Sequence, residues 1–200
     1  MVNLLKEEEL LKWRKYVEQC IESADSAFQL HMMISKPYAL VFLYHISEYL
    51  SDKDYADILS SSWVMTENPN LDPNFSKKKL LALFQRADPC MLMDENEYEK
   101  FKNLNDTVTI YRGVTSYNAK NVKALSWTLE EKVAAEWFAH RYGEEGTVYK
   151  AQISKEYIYA YFDGRSEAEV IVDPKHLQNI TQKHVADESM DVYQVMQMNM

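Results

Sequence analysis

Two glutamates stand two residues apart in Glu167-Ala168-Glu169-Val170-Ile171-Val172, an acidic pair leading an aliphatic run. Read as a strand over 167–172, the run places Glu167, Glu169 and Ile171 on one side and Ala168, Val170 and Val172 on the other. The two carboxylates then point the same way, with Cα atoms roughly 7 Å apart. One carboxylate can stay ionised and stabilise a developing cation while the other takes a proton. The alternative is a half-solvated strand with an acidic outer face. Arg112 is the second such residue. It ends the pattern Thr107-Val108-Thr109-Ile110-Tyr111-Arg112-Gly113, sharing a strand face with Val108 and Ile110. A guanidinium on that face either snorkels at the strand end or pairs with a carboxylate or phosphate. Gly113 beside it leaves room for a ligand to approach the backbone. Ser126, in Leu125-Ser126-Trp127-Thr128, either caps its own backbone or donates to a carboxylate. No histidine is near it in sequence and there is no G-x-S-x-G, so a hydrolase nucleophile is not indicated.

The elements that must position these residues fall into two parts. Up to residue 103 the pattern is helical. Apolar residues at helical spacing predict one long amphipathic helix over 4–30. Pro37 suits a first helical turn, and residues 39–50 are apolar enough for a buried helix. Further helices are expected over 55–63, 77–86 and 94–102, with turn chemistry at Asn68-Pro69-Asn70 and Asp72-Pro73-Asn74. After Asn105 strands are expected over 107–113, 125–128, 147–153, 158–162 and 167–172, the last ended by Asp173-Pro174. Thr128-Leu129-Glu130-Glu131 reads as a capping box, with the Thr128 hydroxyl on the Glu131 N–H. The helix it opens is expected to bury Leu129, Val133, Ala134, Trp137 and Phe138 and to stop at Gly143. The Met- and Gln-rich tail from Asp187 is read as a last strand or a frayed end. The division is thus a helical region 1–103, a mixed region 104–186 and a tail 187–200.

Composition removes several classes of function. Acidic residues exceed basic ones by 31 − 22 = 9, which argues against a primary nucleic-acid binder. The 200 residues contain four glycines, so no G-x-G-x-x-G or Walker A loop can be written. Cys20 and Cys90 form no C-x-x-C, which speaks against a cysteine zinc site and suits a reducing, cytoplasmic setting. The five histidines (His31, His45, His140, His176 and His184) make no H-E-x-x-H, and no metal centre is expected. The charged N-terminal stretch has no signal-peptide core and the chain has no apolar run of transmembrane length, so no membrane association is expected.

In this order, Tyr111-Arg112-Gly113, Leu125-Ser126-Trp127-Thr128 and Glu167-Ala168-Glu169 resemble the mono-ADP-ribosyltransferases of the arginine–serine–Glu-x-Glu class. The flanks are similar too: a Tyr-Arg-Gly strand end, a serine strand running into a helix, and Glu-x-Glu followed by an aliphatic run into proline. The 41 residues from Ser126 to Glu167 are close to the family's spacing, whereas the 14 from Arg112 to Ser126 are few. Trp127 stands where the family has a small Thr or Ser, and so walls or narrows the pocket. The resemblance spans roughly residues 94–175.

The resemblance implies an α+β fold, a helical region followed by a small split β-sandwich, and NAD as substrate with no metal. It implies that Arg112 holds the NAD phosphates, that Ser126 orients Glu169, and that Glu169 grips the nicotinamide ribose as the catalytic glutamate. Glu167 would prepare the acceptor, with arginine as that acceptor. Gly113, Trp127 and Thr128 would line the cofactor site, and Trp137 or Phe138 would lie against nicotinamide. Tyr161, Phe162 and Arg165 would belong to the loop that meets a protein acceptor. The alternatives within this reading are an NAD glycohydrolase with water as acceptor, and an inactive binding module of related fold.

Overall fold

The computed structural model describes residues 6–66, 69–72, 74–118, 121–140 and 146–184. The protein is α+β, with helices and one six-stranded antiparallel sheet. The chain divides into two compact units, Met1–Asp94 and Glu95–Met200. The helix next to the composition change at 103 therefore belongs with the sheet.

The first unit contains α1 (Glu7–Ser23), α2 (Ala27–Met33), α3 (Ala39–Ile46), α4 (Asp52–Met65), α5 (Lys77–Arg86) and α6 (Pro89–Leu92). The single long helix expected over 4–30 is broken. Ser26 caps α2 by accepting from the Gln29 N–H at 3.1 Å, and the Gln29 side chain returns to the Asp25 N–H. The S-x-x-Q pattern of a capping box thus outweighs the continuous apolar periodicity. The helix expected over 39–50 ends at Ile46, followed by a 3₁₀ turn, Ser47–Tyr49. Leu40, Leu43, Ile58, Leu59, Trp63, Leu80 and Phe84 form the core, with Trp63 and Phe84 edge to face at 4.9 Å. The Tyr55 hydroxyl donates to the Leu83 carbonyl at 2.9 Å, so its one polar atom is satisfied inside. His31 is fully buried between Phe28 and Phe42, 3.3 Å from the Ser61 hydroxyl, and burial lowers its pKa. It is a core histidine.

The second unit opens with α7 (Glu95–Lys102), acidic in its first turn and basic in its last, as the helix dipole favours. Its strands are β1 (Thr107–Val114), β2 (Ser126–Thr128), β3 (Thr147–Ser154), β4 (Ile158–Phe162), β5 (Glu169–Val172) and β6 (Gln178–His184). Their order in the sheet is β4-β5-β2-β1-β3-β6. The ladder between β1 and β3 runs eight pairs, Thr107–Ser154 to Val114–Thr147. Between β1 and β2 it is one pair, Tyr111 with Thr128. The sheet is therefore two three-stranded halves joined at one narrow point. β5 lies between β4 and β2, and all four of its residues are buried. An inner strand covered on both faces reads as a near-continuous apolar run, as Val170-Ile171-Val172 does. β6 went unrecognised in the sequence because Gln178-Asn179-Ile180-Thr181-Gln182-Lys183-His184 lacks apolar alternation. The tail from Asp187 and the helix stop at Gly143 lie outside the described residues.

The segment after β2 departs from the expected helix. Its α-helical part, α8 (Glu131–Val133), is one turn and continues as a π-helical stretch, Ala134–Ala139. A π-helix closes i→i+5, so Ala134 and Ala139 share the inward face. Both are fully buried, together with Val148 and packed by Tyr111. The wider turn carries Trp137 outward, where it is 72% exposed, contrary to the burial that α-helical spacing predicts.

Gly113 is the reason the helix can approach so closely. A Cβ there would meet the Ala134 carbonyl oxygen at 2.2 Å, the Ala139 nitrogen at 2.5 Å and the Phe138 Cβ at 2.6 Å. The space beside this glycine is thus filled by the protein's own backbone. The expectation that it admits a ligand is corrected accordingly. Gly113→Ala should cost about 3 kcal/mol or more, because two of the three clashing atoms are main chain. Urea unfolding of the variant beside the wild type measures it, and a loss under about 1 kcal/mol would mean that the π-helical stretch is not seated on β1.

Candidate functional site

The site is built where the two halves of the sheet meet. Register places Thr128, Glu169 and Phe162 in one row across β2, β5 and β4, and Trp127, Val170 and Tyr161 in the next. Directly opposed residues share a face, so Glu169 is on the side of Thr128, Phe162 and Ser126, while Trp127 is on the other. Ser126 is opposite Ile171, which makes it a diagonal neighbour of Glu169. Its hydroxyl donates to the Glu169 Oε1. Glu169 is 8% exposed, and a carboxylate buried to that degree requires such partners.

Arg112 reaches the same place from β1. Its Nη1 donates to the main-chain carbonyl of Ser126 at 2.6 Å, bracing β2 where the β1–β2 ladder is a single pair. Its Nε is buried and finds no hydrogen-bond partner among the described residues. Burial pulls the guanidinium down to about 10, while the charge of Glu169 works in the opposite direction. It therefore stays protonated at neutral pH. Arg112 does not snorkel; it lies within electrostatic reach of a buried carboxylate and keeps one N–H for another acceptor.

Glu167 is held differently. Ala168 has φ 44° and Ser166 φ 55°, so the chain on both sides of Glu167 is left-handed. The strand begins only at Glu169. The expected alternation over 167–172 therefore breaks at Ala168, and the strand pleat does not set the direction of Glu167. Thr128 sets its backbone instead, its hydroxyl donating to the Glu167 carbonyl at 2.6 Å. The same hydroxyl accepts from the Glu130 N–H at 3.0 Å, and Glu130 is the helix N-cap. The expected capping bond to Glu131 is replaced by this one. The Glu167 carboxylate pairs with Arg165, Nη2 to Oε2, at 2.9 Å.

Other expected site residues are placed as follows. Trp127 is buried in the sheet, its indole N–H donating to the Ala124 carbonyl at 3.0 Å. Tyr161 and Phe162 are buried residues of β4 rather than members of a loop, because they pair with Val170 and Glu169. Arg165 alone of that trio lies on the loop and is exposed. Phe138 is half-buried with its Cβ against Gly113, and Trp137 faces outward.

The sequence reading missed the residue that shapes the loop. Asp163 accepts from Lys100 Nζ at 2.6 Å and from the Ala168 N–H at 3.2 Å. Its own N–H donates to the Glu97 Oε1 at 2.7 Å, and its carbonyl accepts from the Ser166 N–H at 2.8 Å. Asp163-Gly164 is a recognised turn dipeptide, and that was the available signal. The partners on α7 are distant in sequence and gave none.

No helix among the described residues is long and apolar enough to cross a membrane. No group of three or more potential metal-ligating side chains occurs among them. Compared with protein-family models, curated proteins and solved structures, the chain finds no match.

Lys100 is the main cause that holds the Asp163 carboxyl below its ordinary value of 3.8. A carboxyl lowered in the folded state adds stability above its unfolded pKa, and that contribution is lost as pH falls through the folded one. Asp163→Asn should therefore cost about 1 kcal/mol at neutral pH, discounted for exposure, and lose less stability on acidification than the wild type. Melting curves on either side of pH 3.8 check this. Parallel acid limbs for the two proteins would remove Asp163 as the anchor.

Proposed function

We propose that the Glu95–Met200 unit is an NAD-dependent mono-ADP-ribosyltransferase that modifies a protein side chain, with arginine as the acceptor. The observation that carries the reading is the Ser126–Glu169 hydrogen bond beside the half-buried Arg112, whose buried Nε lacks a partner among the described residues. The two halves of the sheet, joined by one pair, support a split β-sandwich of the kind the resemblance implies.

The chemistry follows from charge. Breaking the nicotinamide–ribose bond sends the electron pair with nicotinamide and leaves positive charge shared by C1′ and the ring oxygen. A carboxylate already oriented and largely shielded from water stabilises that charge without reorganising. In this reading Glu169 is that carboxylate, and the Ser126 hydroxyl fixes its direction. The Arg112 charge offsets one of the phosphates, and Nε supplies an N–H for a phosphate oxygen. A guanidinium nitrogen of the acceptor then attacks C1′, and its proton passes to Glu167. The Arg165–Glu167 pair favours a second reading, NAD glycohydrolysis, because it occupies the carboxylate that an acceptor would need.

The test uses purified protein, NAD labelled on the adenylate side, and polyarginine. Wild-type protein should release nicotinamide and transfer label. Glu169→Gln preserves shape and should lose both by about a hundredfold or more, with little change in melting temperature. Glu167→Gln should keep nicotinamide release and lose label transfer. Nicotinamide without label would select the glycohydrolase, and neither product would overturn both readings.

A further inference from the structure

We propose that Arg165 is a tethered competitor for the acceptor, occupying the place on Glu167 that an incoming guanidinium must take. The inference rests on the proposed role of Glu167 and adds a selectivity device to it. Glu167 is pinned in the main chain from both sides. Its carbonyl is held by Thr128 at 2.6 Å, and the next N–H, at Ala168, is held by Asp163 at 3.2 Å. Its side chain is turned to Arg165 Nη2 at 2.9 Å, with only Ser166 between the two residues. The two partners differ in exposure: the Arg165 side chain is 46% exposed and that of Glu167 24%. The carboxylate is thus the more enclosed partner, and the guanidinium is the one that water reaches more readily.

The chemical identity of the occupant is the point. A guanidinium on a carboxylate is the contact that an acceptor arginine would make. An exposed ion pair of this kind contributes little, so displacement needs only a two- to fivefold advantage in binding. A small free guanidine has only its charge to offer and must compete with a tethered group at high effective concentration. An arginine on a protein surface brings further contacts that overcome the competitor. Arg165 therefore biases the site toward protein acceptors over small guanidines without touching the ribose.

The experiment measures acceptor affinity in two ways. Arg165→Ala should lower KM for arginine methyl ester two- to fivefold, while KM for NAD does not follow it. In the Glu167→Gln background, adding Arg165→Ala should leave binding of arginine methyl ester unchanged, because the competition proposed is for that carboxylate. Binding of arginine methyl ester to the NAD-free protein, followed by NMR, gives the same comparison without turnover. Tighter binding to Arg165→Ala by two- to fivefold supports the proposal whether or not transfer is seen. Equal affinity in wild type and variant overturns it, even if nicotinamide release and label transfer establish the enzyme. ADP-ribose found on Arg165 of the wild type by mass spectrometry would also overturn it, making the residue an internal substrate instead.

Discussion

The second unit depends on how a charge is accommodated at the point where its sheet is thinnest. Between β1 and β2 the ladder is one residue pair, Tyr111 with Thr128. The Arg112 guanidinium supplies the missing cross-link by binding the Ser126 carbonyl. The residue is half-buried with its Nε shut away from water, and the buried Glu169 places a counter-charge within reach. Ser126 connects them, its carbonyl on Arg112 and its hydroxyl on Glu169. One serine therefore couples the architecture of the sheet to the orientation of the carboxylate.

Around that centre, two irregular segments do what regular elements cannot. The π-helical stretch brings Ala134 and Ala139 onto the same face against Gly113 and turns Trp137 outward, which α-helical spacing would have buried. The loop between β4 and β5 takes two left-handed residues, which detaches Glu167 from the pleat that orients Glu169. Left-handed backbone at non-glycine residues is strained and persists only where its surroundings hold it. Here the hold is visible in Asp163, Thr128 and α7. The result is two glutamates close in sequence and different in environment: one buried on a serine, the other partly exposed on an arginine. Different environments are what permit two carboxylates to take different roles.

Much of the fold was legible because it follows local rules. The strand over 158–162 and the helix over 77–86 coincide with β4 and α5, and those over 94–102, 107–113 and 147–153 came within a residue or so. The candidate site was legible as residue types in an order, Arg112, Ser126, Glu167 and Glu169. Errors arose where a second signal competed. Ser26 and Gln29 broke a helix that apolar spacing ran through. The π-helical turn exposed a tryptophan that α-helical spacing buried.

The amino-acid sequence by itself determined the elements and the chemistry available to them, since periodicity, caps and residue type act over a few positions. It also determined that an arginine would stand at a strand end with an apolar face, which forces a partner to exist. Only the tertiary structure decided which partner, because the Ser126 carbonyl and Glu169 come from strands that the sheet order brings beside β1. It likewise decided that Gly113 makes room for a helix, and that Glu167 faces Arg165. The first depends on contacts between residues far apart in the chain, and the Arg165–Glu167 pair depends on them through the loop that Thr128 and α7 hold, so no local pattern encodes either.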